Sequence, residues 1–303
     1  MAHPQHEAVL SWYAAHHRDL PWRRPGTSPW AVLVSEVMLQ QTPVARVLPA
    51  YQAWLQRWPT PAALAAAPAS EAVRQWGRLG YPRRALRLHA AARILAERHG
   101  GEVPAEHAAL LELPGVGGYT AAAVASFAFG QRHAVLDTNV RRVFARMVSG
   151  RQFPAATLSV AESRLAESLL PVEPAVAARW SVAVMELGAL VCTSARPRCA
   201  RCPLAPGCAW LLSGRPEATG KRPVQRYEGT DRQARGALLA LLRGADAPLT
   251  AGQLAAACPD DPARRARALD GLIADGLAEP YEDGTFTLPG AVAEGERPGL
   301  PSA

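Results

Sequence analysis

The sequence contains almost no lysine. Lys221 is the only one among 303 residues, although lysine and arginine together number 33, so arginine carries nearly all of the positive charge. Because Lys221 falls in a predicted linker, a lysine amine that could attack a substrate is missing from the segments expected to fold. The formal net charge is +7, and a basic excess of this kind favours an anionic polymer as the partner.

Apolar runs of membrane length and long strand patterns are missing as well. No segment is long enough to span a bilayer, and residues 1–7 lack a cationic region followed by an apolar run, so we expect a cytoplasmic, nucleoid-associated protein. Before residue 275, no alternation of apolar and polar residues is long enough for a sheet. The pattern instead predicts an all-α core, with helices over 6–17, 28–40, 43–58 and 83–99, of which the second and third begin with the pairs Ser28-Pro29 and Thr42-Pro43.

A glycine turn between two helices organises the middle of the chain. Residues 113–120 read Leu-Pro-Gly-Val-Gly-Gly-Tyr-Thr, after a short helical segment and before a run of small residues that ends at Gly130. Gly115 and Gly117 allow backbone angles that other residues resist, beside unpaired N–H groups at the start of the second helix. The motif is typical of a site for an anion such as DNA phosphate, and a plain helical hairpin is an equally open interpretation.

Two carboxylates are candidates for catalysis. Glu36 lies in an apolar helix, where burial would raise its pKa and keep it protonated as a general acid, unless it turns outward or pairs with an arginine. Asp137 precedes Asn139, Arg141 and Arg142, so we expect it to stay ionised, and it could also cap the next helix. One raised and one normal carboxylate would divide the roles of acid and charge stabiliser.

Four cysteines crowd into one short segment, separated by six, two and five residues: Cys192, Cys199, Cys202 and Cys208. Three arginines lie between them: Arg196, Arg198 and Arg201. In a reducing compartment such crowding favours a metal site over a disulfide framework. Four thiolates can hold zinc or a 4Fe-4S cluster, and the single close Cys-x-x-Cys pair favours the cluster. The arginines would then point outward as phosphate contacts.

The hairpin, the aspartate after it and the cysteine spacing together resemble the helix-hairpin-helix superfamily of DNA glycosylases, the endonuclease III-like proteins. Within it the chain is similar to the MutY-type adenine glycosylases, from about residue 7 to 212. The motifs that carry this resemblance are Leu20-Pro21-Trp22-Arg23, Ser-Glu-Val-Met-Leu-Gln-Gln-Thr at 35–42, Leu79-Gly80-Tyr81, Leu-Asp-Thr-Asn-Val at 136–140 and Glu-Leu-Gly-Ala-Leu-Val-Cys at 186–192.

The resemblance implies excision of adenine mispaired with 8-oxoguanine or guanine in double-stranded DNA, after the base flips into a pocket between two helical lobes. Glu36 would protonate the leaving base and Asp137 would stabilise the sugar cation, supported by Tyr119 and Asn139. The implied DNA contacts are Gln41 and Tyr81 as wedges, Thr42 and Leu79 near the opposing lesion, and the amides of Gly115 and Gly117 on phosphate. The four cysteines would carry a 4Fe-4S cluster whose loop grips the backbone.

Tyr119 distinguishes between close relatives. In bifunctional glycosylases that resemble endonuclease III, this hairpin position holds a lysine that attacks the sugar and then cleaves the strand, so a tyrosine implies hydrolysis by water. An endonuclease III-like or thymine-mismatch glycosylase remains an alternative, and so does an iron–sulfur winged-helix regulator that binds DNA without catalysis. Glu36 and Asp137 argue against the regulator, since it needs neither acid.

The chain departs from the family pattern at Pro82, where a second aromatic is common, and near its C-terminus, where we expect no NUDIX-like domain. Helices predicted at 232–243, 250–258 and 261–275, with a hairpin at 277–288, resemble a winged-helix domain or form a helical extension packed on the core. We therefore expect a monomer with a core at 1–212, a linker at 213–230, a winged-helix-like domain at 231–290 and a tail at 291–303. The core would divide into a six-helix lobe at about 24–132 and a cluster lobe from 1–23 and 133–212.

Overall fold

The computed structural model describes residues 4–217 and 228–291, so Lys221, much of the predicted linker and nearly all of the predicted tail lie outside the described residues. The fold is mostly helical, as predicted. The α-helices are α1 Pro4–His16, α2 Pro29–Leu39, α3 Val44–Arg57, α4 Pro61–Ala65, α5 Ala69–Trp76, α6 Arg83–Arg98, α7 His107–Leu111, α8 Gly118–Phe129, α9 Thr138–Met147, α10 Val160–Leu169, α11 Pro174–Leu190, α12 Ala209–Leu212, α13 Asp231–Gly244, α14 Ala251–Leu254 and α15 Pro262–Ala274. The strands are β1 Leu249–Thr250, β2 Glu279–Pro280 and β3 Thr285–Thr287. Within the described ranges, no helix combines the length and the apolarity needed to cross a membrane.

Predicted helix starts are confirmed closely at α2 and differ in one detail at α3. The Ser28 hydroxyl accepts a 3.2 Å hydrogen bond from an amide in the first turn of α2. At α3 the predicted threonine cap is wrong, because Pro43 stands at the N-cap position and Thr42 is buried. The Thr42 hydroxyl instead donates to the Leu79 carbonyl at 3.4 Å and accepts from Arg84 at 3.0 Å.

The chain divides into two compact units, each built from two separate stretches. The first unit comprises Met1–Glu36 and Val103–Lys221, and the second comprises Val37–Glu102 and Arg222–Ala303. This division differs from the predicted lobes. The hairpin helices fall with the cysteine segment because α8 packs against α11, and the C-terminal helices fall with residues 37–102 because α13 packs against α5.

The core of the first unit lies among α1, α9 and α11. Trp180, Val184 and Leu187 of α11 are buried, in one cluster with Val9 of α1 and Phe144 of α9. A helix of 17 residues that is apolar nearly all round is typical of an element covered on several sides. This packing fixes the start of α9, where the predicted catalytic aspartate lies.

The C-terminal stretch of the second unit forms three α-helices and a small antiparallel sheet, as the sequence predicts. The strands β2 and β3 make the predicted hairpin, which turns at Gly284 with φ +76. The sheet order is β1-β3-β2, with Leu249 opposite Phe286. Strand β1 was not predicted, because a strand of two residues is too short to show an alternation of apolar and polar residues.

Candidate functional site

The glycine turn joins α7 to α8 in the first unit. Gly115 has φ +82, a left-handed conformation that favours glycine. At Gly117 the prediction of a backbone angle that needs glycine is wrong, because its φ of −98 is open to any residue. Gly117 is the exposed N-cap of α8 and makes no side-chain hydrogen bond to the first amides of that helix. The first turn of a 12-residue helix is therefore left without a side-chain cap beside two glycines, an arrangement that suits an anion.

Glu36 is buried in the same unit, with 4% of its surface exposed. The Tyr119 hydroxyl donates a 2.8 Å hydrogen bond to Glu36 Oε2. Burial raises the pKa of Glu36 from 4.5 to about 7, against the opposing effects of this hydrogen bond and of the Arg23 charge. The predicted burial of Glu36 is confirmed, and a carboxyl with this pKa can serve as an acid near neutral pH. Burial also raises the pKa of Tyr119 well above 10, so the phenol stays a neutral donor.

Asp137 caps α9 and lies close enough to Glu36 for its charge to raise the pKa of that acid. Its Oδ1 accepts a 2.6 Å hydrogen bond from the Val140 amide, and its Oδ2 accepts a 2.7 Å bond from Asn139 Nδ2. The predicted normal pKa is wrong: burial raises the pKa of Asp137 above 3.8 in spite of these bonds. The local sequence showed the polar neighbours of Asp137 but not how far distant elements cover it.

Sequence analysis missed a buried ion cluster in this unit. The side chain of Glu186 on α11 is fully buried, and Arg18 donates to both of its carboxylate oxygens at 2.7 and 2.6 Å. Arg23 donates to Oε2 at 2.8 Å. Burial acts to raise the pKa of Glu186, but the bonds from Arg18 and the charge of Arg23 lower it to about 2. The partners lie 163 to 168 residues apart, so local spacing carried no signal of the cluster.

A chain of hydrogen bonds joins Asp137 to the cysteine segment. Arg142 Nη2 donates at 2.8 Å to Oδ1 of Asn139, the residue that holds Asp137. The same guanidinium donates to the carbonyls of Gly188 and Cys192, each at 2.7 Å. A Cβ at Gly188 would lie 2.7 Å from the Asn139 Cβ, so only glycine lets α11 approach α9 this closely.

The predicted cysteines line one cavity in the first unit: Cys192, Cys199, Cys202 and Cys208. All four are free thiols and half-buried. The buried Arg146 side chain shares this cavity and donates from Nη1 to Cys192 Sγ at 3.4 Å. Within the described part of the chain, no three His, Cys, Asp or Glu side chains are grouped as one metal ion requires. The three arginines of the segment are exposed, as predicted: Arg196, Arg198 and Arg201.

The residues predicted to contact the mispair lie in the second unit and are of two kinds. Gln41 and Tyr81 are exposed, and both have left-handed backbone, with φ +56 and +49. Such angles are costly for residues other than glycine and occur often at functional sites. Thr42 and Leu79 are buried, and the bond between them joins the two loops that carry the exposed pair.

Comparison with known proteins identifies the family of the chain. The family described as HhH-GPD superfamily base excision DNA repair protein matches residues 34–166. The adenine DNA glycosylase of Mycolicibacterium smegmatis is 52% identical over 289 residues, which cover 95% of this chain and 96% of that protein. The adenine DNA glycosylase of Homo sapiens is 45% identical over 210 residues, which cover 66% of this chain and 38% of that protein.

A solved structure of a thermostable thymine-DNA glycosylase has the same core fold. It is 29% identical, has a TM-score of 0.61, and covers 69% of this chain and 95% of its own. The relative from Mycolicibacterium smegmatis shares half of its residues with this chain over nearly the full length of both. The chain therefore belongs to the adenine DNA glycosylases of the HhH-GPD superfamily of base excision DNA repair proteins.

Proposed function

We propose that the protein is a monofunctional DNA glycosylase that removes adenine mispaired with 8-oxoguanine or guanine in double-stranded DNA. The observation that carries this proposal is the carboxyl pair Glu36 and Asp137 beside Tyr119, a phenol where a lyase needs an amine. Relatives at 52% identity are named adenine DNA glycosylases, which supports adenine as the base.

Glu36 acts as the general acid. It transfers its proton to a ring nitrogen of the flipped adenine while the bond between sugar C1′ and base breaks, and the bonding electrons leave with the base. A pKa of about 7 keeps a large fraction of Glu36 protonated at neutral pH. The hydrogen bond from Tyr119 fixes one carboxyl oxygen, so the proton is carried at a defined position.

Asp137 stabilises the positive sugar that the departing base leaves behind. Its carboxylate is held on both oxygens, by Asn139 and by the first turn of α9, so it needs little rearrangement when that charge develops. Water then adds to C1′ and gives a proton to the carboxylate left on Glu36, which restores the acid. Because Tyr119 offers no amine, the sugar forms no imine with the protein and the strand stays intact.

Exposed residues of both units supply the DNA contacts. Gln41 and Tyr81 would enter the base stack, since both are exposed at loop positions with strained backbone. Thr42 and Leu79 would hold these loops near the opposing lesion through their mutual hydrogen bond. Phosphates would bind to the amides of Gly115 and Gly117 at the start of α8 and to the exposed arginines Arg196, Arg198 and Arg201.

The cysteine cavity fits a 4Fe-4S cluster, because its donor set is four free thiols around one space with a buried arginine cation against one sulfur. The residues that would hold the cluster are Cys192, Cys199, Cys202 and Cys208. When bound, the cluster would join the four cysteines to one another and so hold the 192–208 segment in one conformation. Cys199→Ser should lower both the iron and sulfide content per chain and the affinity for DNA. Purified protein with one zinc and no iron would contradict the cluster.

A single-turnover assay tests the proposed reaction. Duplexes with adenine opposite 8-oxoguanine, adenine opposite guanine, thymine opposite guanine, and thymine glycol are each incubated with excess protein, with and without borohydride. We expect free adenine from the first two duplexes and no adduct trapped by borohydride. A trapped adduct would indicate an amine nucleophile, and release of thymine or thymine glycol would favour the alternative substrates.

A further inference from the structure

The loop that carries Tyr81 in the second unit has an unusual backbone. Gly77, Gly80 and Tyr81 all have positive φ, at +54, +85 and +49. Tyr81 nevertheless leaves 47% of its surface exposed. A left-handed tyrosine persists only where neighbouring groups hold it, because the conformation costs free energy. The groups that hold this ring therefore decide how well it is positioned.

Two guanidinium groups lie on the ring of Tyr81. The Arg84 guanidinium carbon is 5.3 Å from the ring centroid, and that of Arg232 is 5.8 Å away, both within cation–π range. Arg84 also donates to the Gly80 carbonyl at 2.9 Å and to the Val37 carbonyl at the same distance, so it belongs to the frame of the loop itself. Arg232 comes from the first turn of α13 in the C-terminal stretch.

The C-terminal stretch also forms an ion pair with the chain directly after Tyr81. Arg83 begins α6, two residues beyond the tyrosine, and its Nη1 lies 3.0 Å from Asp275 Oδ1. The other oxygen of Asp275 pairs with Arg235 on α13. Asp275 thus connects the loop to the helix that carries Arg232.

The far end of α13 is attached as firmly. Arg74 on α5 donates to the Ala245 carbonyl at 2.7 Å, and Arg243 on α13 donates in return to the Val73 carbonyl at 3.0 Å. Each arginine therefore satisfies a carbonyl near the end of the other helix, where carbonyls lack partners within the helix. Helix α13 is held at both ends, and its first turn is fixed over Tyr81.

We propose that residues 228–291 brace the Tyr81 loop and that Arg232 is the positioning residue of this brace. Arg232 would thereby sharpen discrimination between 8-oxoguanine and guanine opposite adenine, a step that rests on the function proposed above. A wedge that is already fixed loses less freedom on binding DNA. A fixed ring also adjusts less to an ill-fitting pair, so its stacking differs more between the two opposing bases. Three other arginines of the stretch contact groups within it and not the ring of Tyr81: Arg264 and Arg267 pair with Asp231, and Arg265 donates to the Cys258 carbonyl.

The test compares Arg232→Ala with Arg267→Ala, which removes the same charge from the same stretch but has Asp231 as its partner. Hydrogen exchange of the full-length protein without DNA is measured over residues 77–81. Single-turnover excision of adenine is measured opposite 8-oxoguanine and opposite guanine. For Arg232→Ala we expect exchange to rise about two- to five-fold and the ratio of the two rates to fall by a similar factor, as a surface cation–π contact predicts. Arg267→Ala should change neither quantity.

A double-mutant comparison decides whether Arg232 acts through Tyr81. In a Tyr81→Leu background, Arg232→Ala should have no further effect on the ratio of the two excision rates. In the protein that keeps Tyr81, Arg232→Lys should retain part of the wild-type ratio. An undiminished effect in that background would overturn the proposal. The proposal would also be overturned if Arg232→Ala lowered the slope of log DNA affinity against log salt concentration by about one, because that change indicates a lost phosphate contact. If wild-type protein releases no adenine at all, the proposed function fails, and the exchange measurement still decides whether Arg232 holds the loop.

Discussion

Two buried glutamates of the first unit have pKa values shifted in opposite directions from the ordinary value. Burial raises the pKa of Glu36 to about 7, whereas Glu186, with a fully buried side chain, has a pKa of about 2. The difference lies in their partners. Glu36 accepts from a neutral phenol, and Glu186 accepts from the guanidinium groups of Arg18 and Arg23.

Arg23 links the two regions. It is bonded to Glu186, and its charge also lowers the pKa of Glu36 from a distance. A cation committed to one carboxylate has less influence on another, so Glu186 helps to keep Glu36 protonated. Burial therefore raises the pKa of Glu36 in spite of the Arg23 charge, which is itself bonded to Glu186.

Glu36→Gln should give the largest change. The side chain keeps its shape and loses its proton, so single-turnover excision should fall by about 10²- to 10⁴-fold while binding of the mispaired duplex is retained. Asp137→Asn should act in the same way. Excision near the wild-type rate by either variant would contradict the assigned roles.

Glu36→Gln also has a stability signature. The raised pKa means that wild-type protein loses stability as pH rises from 4.5 to about 7, by about 3 kcal/mol, because the folded state alone must retain the proton. The glutamine variant should lack this loss, so its relative stability should increase across that window. Denaturant unfolding at several pH values measures the difference, and parallel curves would contradict it.

Glu186→Gln should have the reverse effect on the fold. It leaves two arginine charges without their carboxylate, and we expect a loss of about 3–5 kcal/mol at neutral pH. Because the pKa of Glu186 is lowered, the wild-type advantage is complete above pH 4.5 and disappears as pH falls toward 2. Glu97→Gln is the matched control, since Glu97 and its partner Arg93 are both exposed and such pairs contribute about 0–1 kcal/mol.

Tyr119→Phe should give the smallest effect of the four variants, a small change in the pKa of Glu36. It tests most directly how the partner of each glutamate sets its pKa. The lost hydrogen bond is one of the influences that lower the pKa of Glu36, so the pKa should rise further, by less than about one unit. Since excision needs the protonated acid, the wild-type rate should decline above about pH 7 and that of the variant at higher pH. Tyr51→Phe, a tyrosine of the second unit, should leave the profile unchanged, and a downward shift for Tyr119→Phe would contradict the assignment.

Local sequence was enough to predict features that depend on neighbours along the chain. The apolar helix around Glu36 predicted its burial, and the proline and glycine positions predicted the turn at Gly115. The cysteine spacing predicted that four thiols would share one site. Each of these depends on periodicity, backbone restriction or proximity in the chain, which a single segment contains.

Features that depend on distant packing could not be read in this way. The raised pKa of Asp137 depends on how other elements cover it, and both partners of Glu186 lie in the segment between α1 and α2. The contact of Arg232 with Tyr81 joins residues from the two separate stretches of the second unit. No periodicity within either stretch encodes such a pairing.

Because the two units are interleaved in the chain, the two stretches of the second unit are synthesised at different times. The stretch Val37–Glu102 leaves the ribosome early, yet the rest of its unit follows only after all of Val103–Lys221 has been made. At roughly 5–20 residues per second, the wait is on the order of ten seconds. Throughout that interval the face of α5 that later receives α13 has no partner in the nascent chain. We therefore expect slower translation between residues 103 and 221 to prolong the time for which this face of α5 stays uncovered.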